Sequence, residues 1–141
     1  MPPQVVLDTN VVFSALYSRL GSSFVILNQV SAGRFGIHLS VPLFLQYEDV
    51  LKRRADALGM ELSDIGIVLD RLCAVAEFHR IHYLWRPLLS DKKDDLVLEL
   101  AVAARCSHIV THNLRDFRGT ESFGVEVISP LEFKRLLGDD K

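Results

Sequence analysis

The sequence predicts an α/β fold in which a parallel sheet is covered by helices on both faces. Two observations carry this prediction. Short runs rich in β-branched residues alternate with longer segments whose apolar residues recur at helical spacing. The first run, Gln4 to Leu7, holds apolar residues back to back, as a strand buried on both faces requires.

In chain order, Gln4 to Leu7 is the first strand and Asn10 to Leu16 the first helix. Ser22 or Ser23 can cap a second helix carrying Phe24, Leu27 and Val30. Ile37 to Ser40 is the next strand. Pro42 falls in the first turn of a helix whose apolar face is Leu43, Tyr47, Val50 and Leu51. Ser63 is a cap for a helix bearing Ile65, Val68, Leu69, Leu72 and Ala76, and an edge strand is expected over His79 to Tyr83. Asp91 opens a helix with Val97, Leu100, Ala101 and Ala104, which leads into the strand Ser107 to Thr111. Val125 to Ile128 is the last strand. Ser129-Pro130-Leu131-Glu132 forms a capping box for a final helix.

The 141 residues fit one domain spanning residues 1–141, with no linker, repeat or low-complexity tract. An apolar share of 49% against 24% charge places the chain among globular proteins and not disordered ones. A net charge of −2 excludes a global positive field, so nucleic-acid contacts must come from local patches. Lys52-Arg53-Arg54, Lys92-Lys93 and the pair Arg115 and Arg118 are those patches, and each alone reads as a solvated face. Trp85-Arg86-Pro87 offers a stacking face for a base, although packing against the body or a partner is the preferred reading.

Cys73 and Cys106, in apolar helical stretches, are expected to be free buried thiols. No basic stretch precedes an apolar run at the N-terminus, and no apolar run reaches the roughly 18 residues of a membrane span. A cytoplasmic protein without a membrane segment is the expectation.

Acidic and amide side chains fall where the strands end, and ligands of such sheets bind beyond those carboxyl ends. Asp8 follows the first strand and can serve as a helix N-cap or as a metal ligand. Thr9 and Asn10 would serve the turn or hydrogen-bond Asp8. Asp91, Asp94 and Asp95 share one helix start. Asp91 reads as the cap, Asp94 as either a dipole partner or a ligand, and Asp95 as a solvated first-turn acid. Thr111 to Phe117 leaves the fourth main strand with Asn113 and Asp116, and Phe117 anchors that loop in the core. His112 reads as a solvent-facing loop histidine.

These strings, in this order and spacing, resemble the PIN-domain family, metal-dependent ribonucleases that include toxin components of bacterial toxin–antitoxin pairs. The resemblance covers essentially the whole chain. Val5-Val6-Leu7-Asp8-Thr9-Asn10 is similar to the family's opening motif with its first acid. Asp91 to Ala101 resembles the third-acid motif, which assigns that acid to Asp94. Thr111-His112-Asn113-Leu114-Arg115-Asp116-Phe117 resembles the closing motif in its Asn form, which assigns the fourth acid to Asp116. In the segment Ser40 to Glu48, the second-acid position is occupied by Gln46, and Glu48 is out of register. The resemblance implies a PIN-like three-layer α/β/α fold with a parallel sheet of about five strands, and frequent homodimerisation.

The reaction expected is hydrolysis of RNA phosphodiester bonds by metal-activated water. Asp8, Asp94 and Asp116 would be ligands for Mg²⁺ or Mn²⁺, with Asn113 and Thr111 orienting them. Arg115 and Arg118 are the candidate contacts to RNA. An antitoxin is the expected protein partner where one is encoded. Gln46 favours the competing reading, a weakly active or inactive PIN-like module that binds RNA or a protein. A phosphoacceptor domain is disfavoured, because no second acid adjoins Asp8 and no glycine-rich phosphate loop appears.

Overall fold

A computed structural model describes residues 2–81 and 92–138. Strand β1 (Gln4–Leu7) leads into α1 (Thr9–Tyr17) and α2 (Ser22–Asn28), then β2 (Gly36–Leu39). Three helices follow, α3 (Val41–Arg53), α4 (Ala55–Leu58) and α5 (Leu62–Val75), before β3 (Glu77–Phe78). Helix α6 (Lys92–Ala103), β4 (His108–Val110), β5 (Glu126–Ile128) and α7 (Pro130–Leu136) complete the order. All pairings are parallel, and the five strands run in the order β3-β2-β1-β4-β5. The PIN-like three-layer α/β/α architecture expected from the sequence is therefore present.

Strand β1 is central, and Val5, Val6 and Leu7 are sealed from solvent on both faces. This accounts for the unbroken apolar run. Successive strands are added to one side of β1 as far as β3, and the chain then crosses to the other side for β4 and β5. Strand order thus reverses at β1 and β4, where such sheets open a crevice at their carboxyl edge. Helices returning to parallel strands run antiparallel to them, so α6 begins at that same edge.

Several boundaries differ from expectation. The second helix is capped by Gly21 and not by Ser22 or Ser23, and Val30 falls in a separate 3₁₀ turn, Val30–Ala32. Helix α5 starts at Leu62 with Glu61 as its N-cap, because Asp64 Oδ2 accepts from the Glu61 N–H at 3.3 Å; Ser63 is already helical. The edge strand lies at Glu77–Phe78, ahead of the expected His79 to Tyr83. Helix α5 ends at Val75, which lets pairing begin at once, and the His79 N–H adds one bond to Leu39 O at 2.8 Å. Residues 82–83 of that expectation, Trp85-Arg86-Pro87 and the cap residue Asp91 lie outside the described residues. Val50 is only half-buried, while Leu43, Tyr47 and Leu51 form the buried face of α3. The Ser129 and Glu132 capping box of α7 is formed as expected. Cys106 is a buried free thiol and Cys73 a half-buried one.

Among the described residues, no single helix is long and apolar enough to cross a membrane.

Candidate metal centre at the carboxyl edge

Asp8 stands at the strand-order reversal, directly after β1, and its backbone N–H pairs with Val110 O at 2.9 Å. Both oxygens of its carboxylate are hydrogen-bonded, and the N-cap reading is formed. Oδ1 caps α1 by accepting from the Thr9 N–H at 2.8 Å. Oδ2 is turned the other way and accepts from Thr111 Oγ1 at 2.8 Å and from Asn10 Nδ2 at 3.4 Å.

Thr111 follows β4 directly and is fully buried, and its hydroxyl oxygen also accepts from the Asn113 N–H at 3.0 Å and from Asn10 Nδ2 at 3.3 Å. Asn10 Oδ1 in turn receives the His112 N–H at 3.2 Å. These bonds lock the loop after β4 to the start of α1. Thr9 Oγ1, by contrast, is buried with no hydrogen-bond partner among the described residues.

Only 8% of Asp8 is exposed. Burial raises the proton affinity of its carboxyl above the ordinary value of 3.8, the bonds from Thr111 and Thr9 oppose that rise, and the charge of Asp116 adds to it. The two carboxylates therefore repel each other. Asp116 is exposed on a 3₁₀ turn, Leu114–Phe117, whose Phe117 is buried and holds the turn to the core as expected. His112, Asn113, Leu114, Arg115 and Asp116 line a cleft of about 540 Å³.

Asp94 is half-buried in the first turn of α6, and α6 packs on β1, β4 and the turn that carries Asp116. Gln46 is half-buried on α3, with Oε1 out of solvent and unpartnered among the described residues. Its neighbour Tyr47 donates its hydroxyl to Leu7 O, which ties this turn of α3 to the end of β1. Burial, and then the nearby Asp8 charge, push the Tyr47 phenol far above its usual range. Glu48 faces away and pairs with Lys52 at 3.0 Å.

The basic patches divide. Arg53 pairs with Asp49 at 3.0 Å and Arg54 lies over the Phe13 ring at 4.1 Å, so the Lys52-Arg53-Arg54 run is engaged within the chain. Arg115 lines the cleft that holds Asp116, whereas Arg118 lines a neighbouring one with Glu121 and Glu126.

Of three residues here, Asp95 differs from its sequence reading, Glu99 is not singled out there, and His112 is exposed as read. Asp95 is 1% exposed, not a solvated acid. Glu99, one turn further along α6, is 3% exposed and lines an apolar groove of about 660 Å³ with Ser40, Pro42 and Leu96. That groove is more voluminous than the cleft, yet the crevice chemistry lies at Asp8. The signal for Glu99 was a lone acid within Leu98 to Ala101. His112 bonds through Nε2 to Ser23 Oγ at 3.0 Å, and burial holds its ring below the usual 6.5 against the opposing pull of Asp8.

The donor set suits a hard divalent cation, since carboxylate, amide and hydroxyl oxygens surround two mutually repelling acids. The orphaned oxygens of Thr9 and Gln46 are consistent with a site that has room for a further polar partner.

A family model described as a PIN domain matches residues 4–115. No curated protein matches the chain significantly. Among solved structures, the chain is similar to one from the crystal structure of VapBC2 from Rickettsia felis bound to a DNA fragment from their promoter. The TM-score is 0.59 at 13% identity, covering 89% of this chain and 98% of that one, a likeness of fold.

Proposed function

This chain belongs to the PIN-domain family, and from that premise we propose that it is a metal-dependent endoribonuclease acting as the toxin of a toxin–antitoxin pair. The observation that carries the reading is the state of Asp8. Its carboxylate is buried at the strand-order reversal, oriented by Thr111 and Asn10, and repelled by Asp116. Asp8, Asp94 and Asp116 would hold the cation, whose charge would relieve that repulsion. When bound, Mg²⁺ or Mn²⁺ supplies Lewis acidity toward the phosphate and lowers the pKa of water.

The chain's own residues do the rest. Thr111 fixes one oxygen of Asp8, and Asn10 couples it to the loop that bears Asn113 and Asp116. Partial burial lowers the proton affinity of His112, whose ring offers a proton donor or acceptor beside Asp8. Arg115 contributes charge toward the RNA backbone at the rim of the cleft. The antitoxin partner is proposed on the likeness to the VapBC2 structure; co-purification with the product of an adjacent gene tests it.

Cleavage of single-stranded and structured RNA, with Mn²⁺ and with chelator, tests the activity. Cation-dependent cleavage is expected, and equal cleavage in excess chelator would contradict the reading. One observation favours a second reading, a binding module of weak or no activity. Gln46 occupies the second-acid position and supplies no charge, while Glu48 is engaged on the surface. RNA binding without cleavage at any Mn²⁺ concentration would favour that module.

A further inference from the structure

The structure assigns a second metal site, of different chemistry, where β2 meets β3, with His38, Glu77 and His79 as ligands for Zn²⁺. Register brings them together. His38 is paired with Glu77 across the parallel ladder, and His79, two residues further along extended backbone, projects to the same side. His38 Nδ1 lies 2.7 Å from His79 Nε2 and 3.5 Å from Glu77 Oε2, and His79 Nε2 lies 4.0 Å from that same oxygen. Two imidazole nitrogens at about 2.05 Å from one tetrahedral zinc stand about 3.3 Å apart. The nitrogens need to separate by about 0.6 Å, and Glu77, an exposed side chain, can close on them.

The surroundings orient His38 for this task. Gln4 Nε2 donates to Pro2 O at 3.3 Å, so Gln4 presents Oε1 to His38 Nε2 at 2.6 Å. A carbonyl oxygen only accepts, so Nε2 carries the proton and the Nδ1 lone pair points at Glu77 and His79. A metal-bound histidine is held by such a partner on its other nitrogen. Gly36 makes the space, since a Cβ there would sit 2.3 Å from Gln4 Oε1.

Two imidazoles and one carboxylate suit Zn²⁺ and not Mg²⁺, and water can complete the coordination beside exposed Glu77. The consequence is mechanical. Strand β3 is a two-residue edge with both residues exposed, and a bridging cation would staple it to β2. Phe78 and His79 also line the apolar groove, so loading would fix one lip of it.

Zn²⁺ alone is titrated into the full chain by calorimetry, alongside Co²⁺ followed by visible absorption and thermal melts. A saturable zinc equivalent that persists in Asp8→Asn is expected, with the intense band of four-coordinate cobalt and a raised melting midpoint. Gln4→Leu should weaken zinc about 10–100-fold through lost orientation, and His79→Ala by more. Glu77→Gln, at an exposed position, should also weaken it and decides the matter if His79→Ala fails to fold. Asp8→Asn should leave the cobalt band unchanged. The site is overturned by the absence of a saturable isotherm, by wild-type affinity in Glu77→Gln, or by loss of the band in Asp8→Asn.

Discussion

At the junction of β1 and β4 the chain places carboxylate, hydroxyl and amide oxygens, whereas one strand away, where β2 meets β3, it places two imidazoles and one exposed carboxylate. Both clusters use an orienting partner. Thr111 fixes Asp8, and Gln4 fixes His38. They differ in what they leave unpaid electrostatically. The charge of Asp116 adds to the raised proton affinity of Asp8, while His38 Nδ1 and His79 Nε2 lie within hydrogen-bond distance of each other. The comparison teaches that position on a shared sheet does not set metal preference; donor chemistry and mutual repulsion do.

The largest effect expected concerns the acid cluster. Asp94→Asn and Asp116→Asn should each lower Mn²⁺-dependent RNA cleavage at least ~100-fold with melting curves intact, because each keeps shape and removes charge. Wild-type cleavage by Asp94→Asn would make it a helix-dipole residue only, and would break the contrast between the clusters.

Gln46 sharpens it next. Gln46→Glu should tighten Mn²⁺ binding and raise turnover by about 10-fold, the effect of restoring one charged group near a metal. Glu48→Gln removes only an exposed pair with Lys52, worth about 0.3–0.5 kcal/mol in a helix, and should be silent in cleavage. Inactivation by Glu48→Gln with a silent Gln46→Glu would mean that Glu48 is the second acid.

Smaller still is the RNA contact. Arg115→Ala should weaken RNA binding severalfold at low salt and reduce the salt slope by about one. Arg118→Ala, in the neighbouring cleft with Glu121 and Glu126, should do less. Equal effects of the two would place the RNA across both clefts.

The smallest effect is on stability without metal. Folding raises the Asp8 pKa above 3.8, so the folded state binds that proton more tightly. The associated stability is fully present below 3.8 and is lost as pH rises through the folded value. In chelator at pH 8, Asp8→Asn should therefore melt a few degrees above wild type, with the gap closing as pH falls toward 3.8. Mn²⁺ should reverse the order by stabilising wild type alone. A lower midpoint for Asp8→Asn in chelator would mean that its cap and Thr111 bonds outweigh burial.

Much of this was legible in the sequence. Val5-Val6-Leu7 announced a central strand, the Ser129 and Glu132 box formed as read, and the rotation of about 100° per residue separated Gln46 from Glu48. The misses share a cause, which is that tertiary packing sets phase and register. Helix α6 is apolar on nearly every side from Leu96 to Val102, so its sequence could not say that Asp95 and Glu99 face inward. The Glu61 and Asp64 box started α5 ahead of the expected cap Ser63, and β3 was fixed by where α5 stopped. His38 and His79 lie 41 positions apart, and only strand order makes them neighbours.

One measurement bears most directly on the central claim that Asp8 anchors a metal-dependent ribonuclease site. RNA cleavage rates are compared for wild type and Asp8→Asn across a Mn²⁺ titration, with both proteins shown folded by their melting curves. Cleavage should rise with Mn²⁺ in wild type and be lost in Asp8→Asn at every concentration. Wild-type rates in Asp8→Asn would contradict it, leaving Asp8 as a helix cap bonded to Thr111 and nothing more.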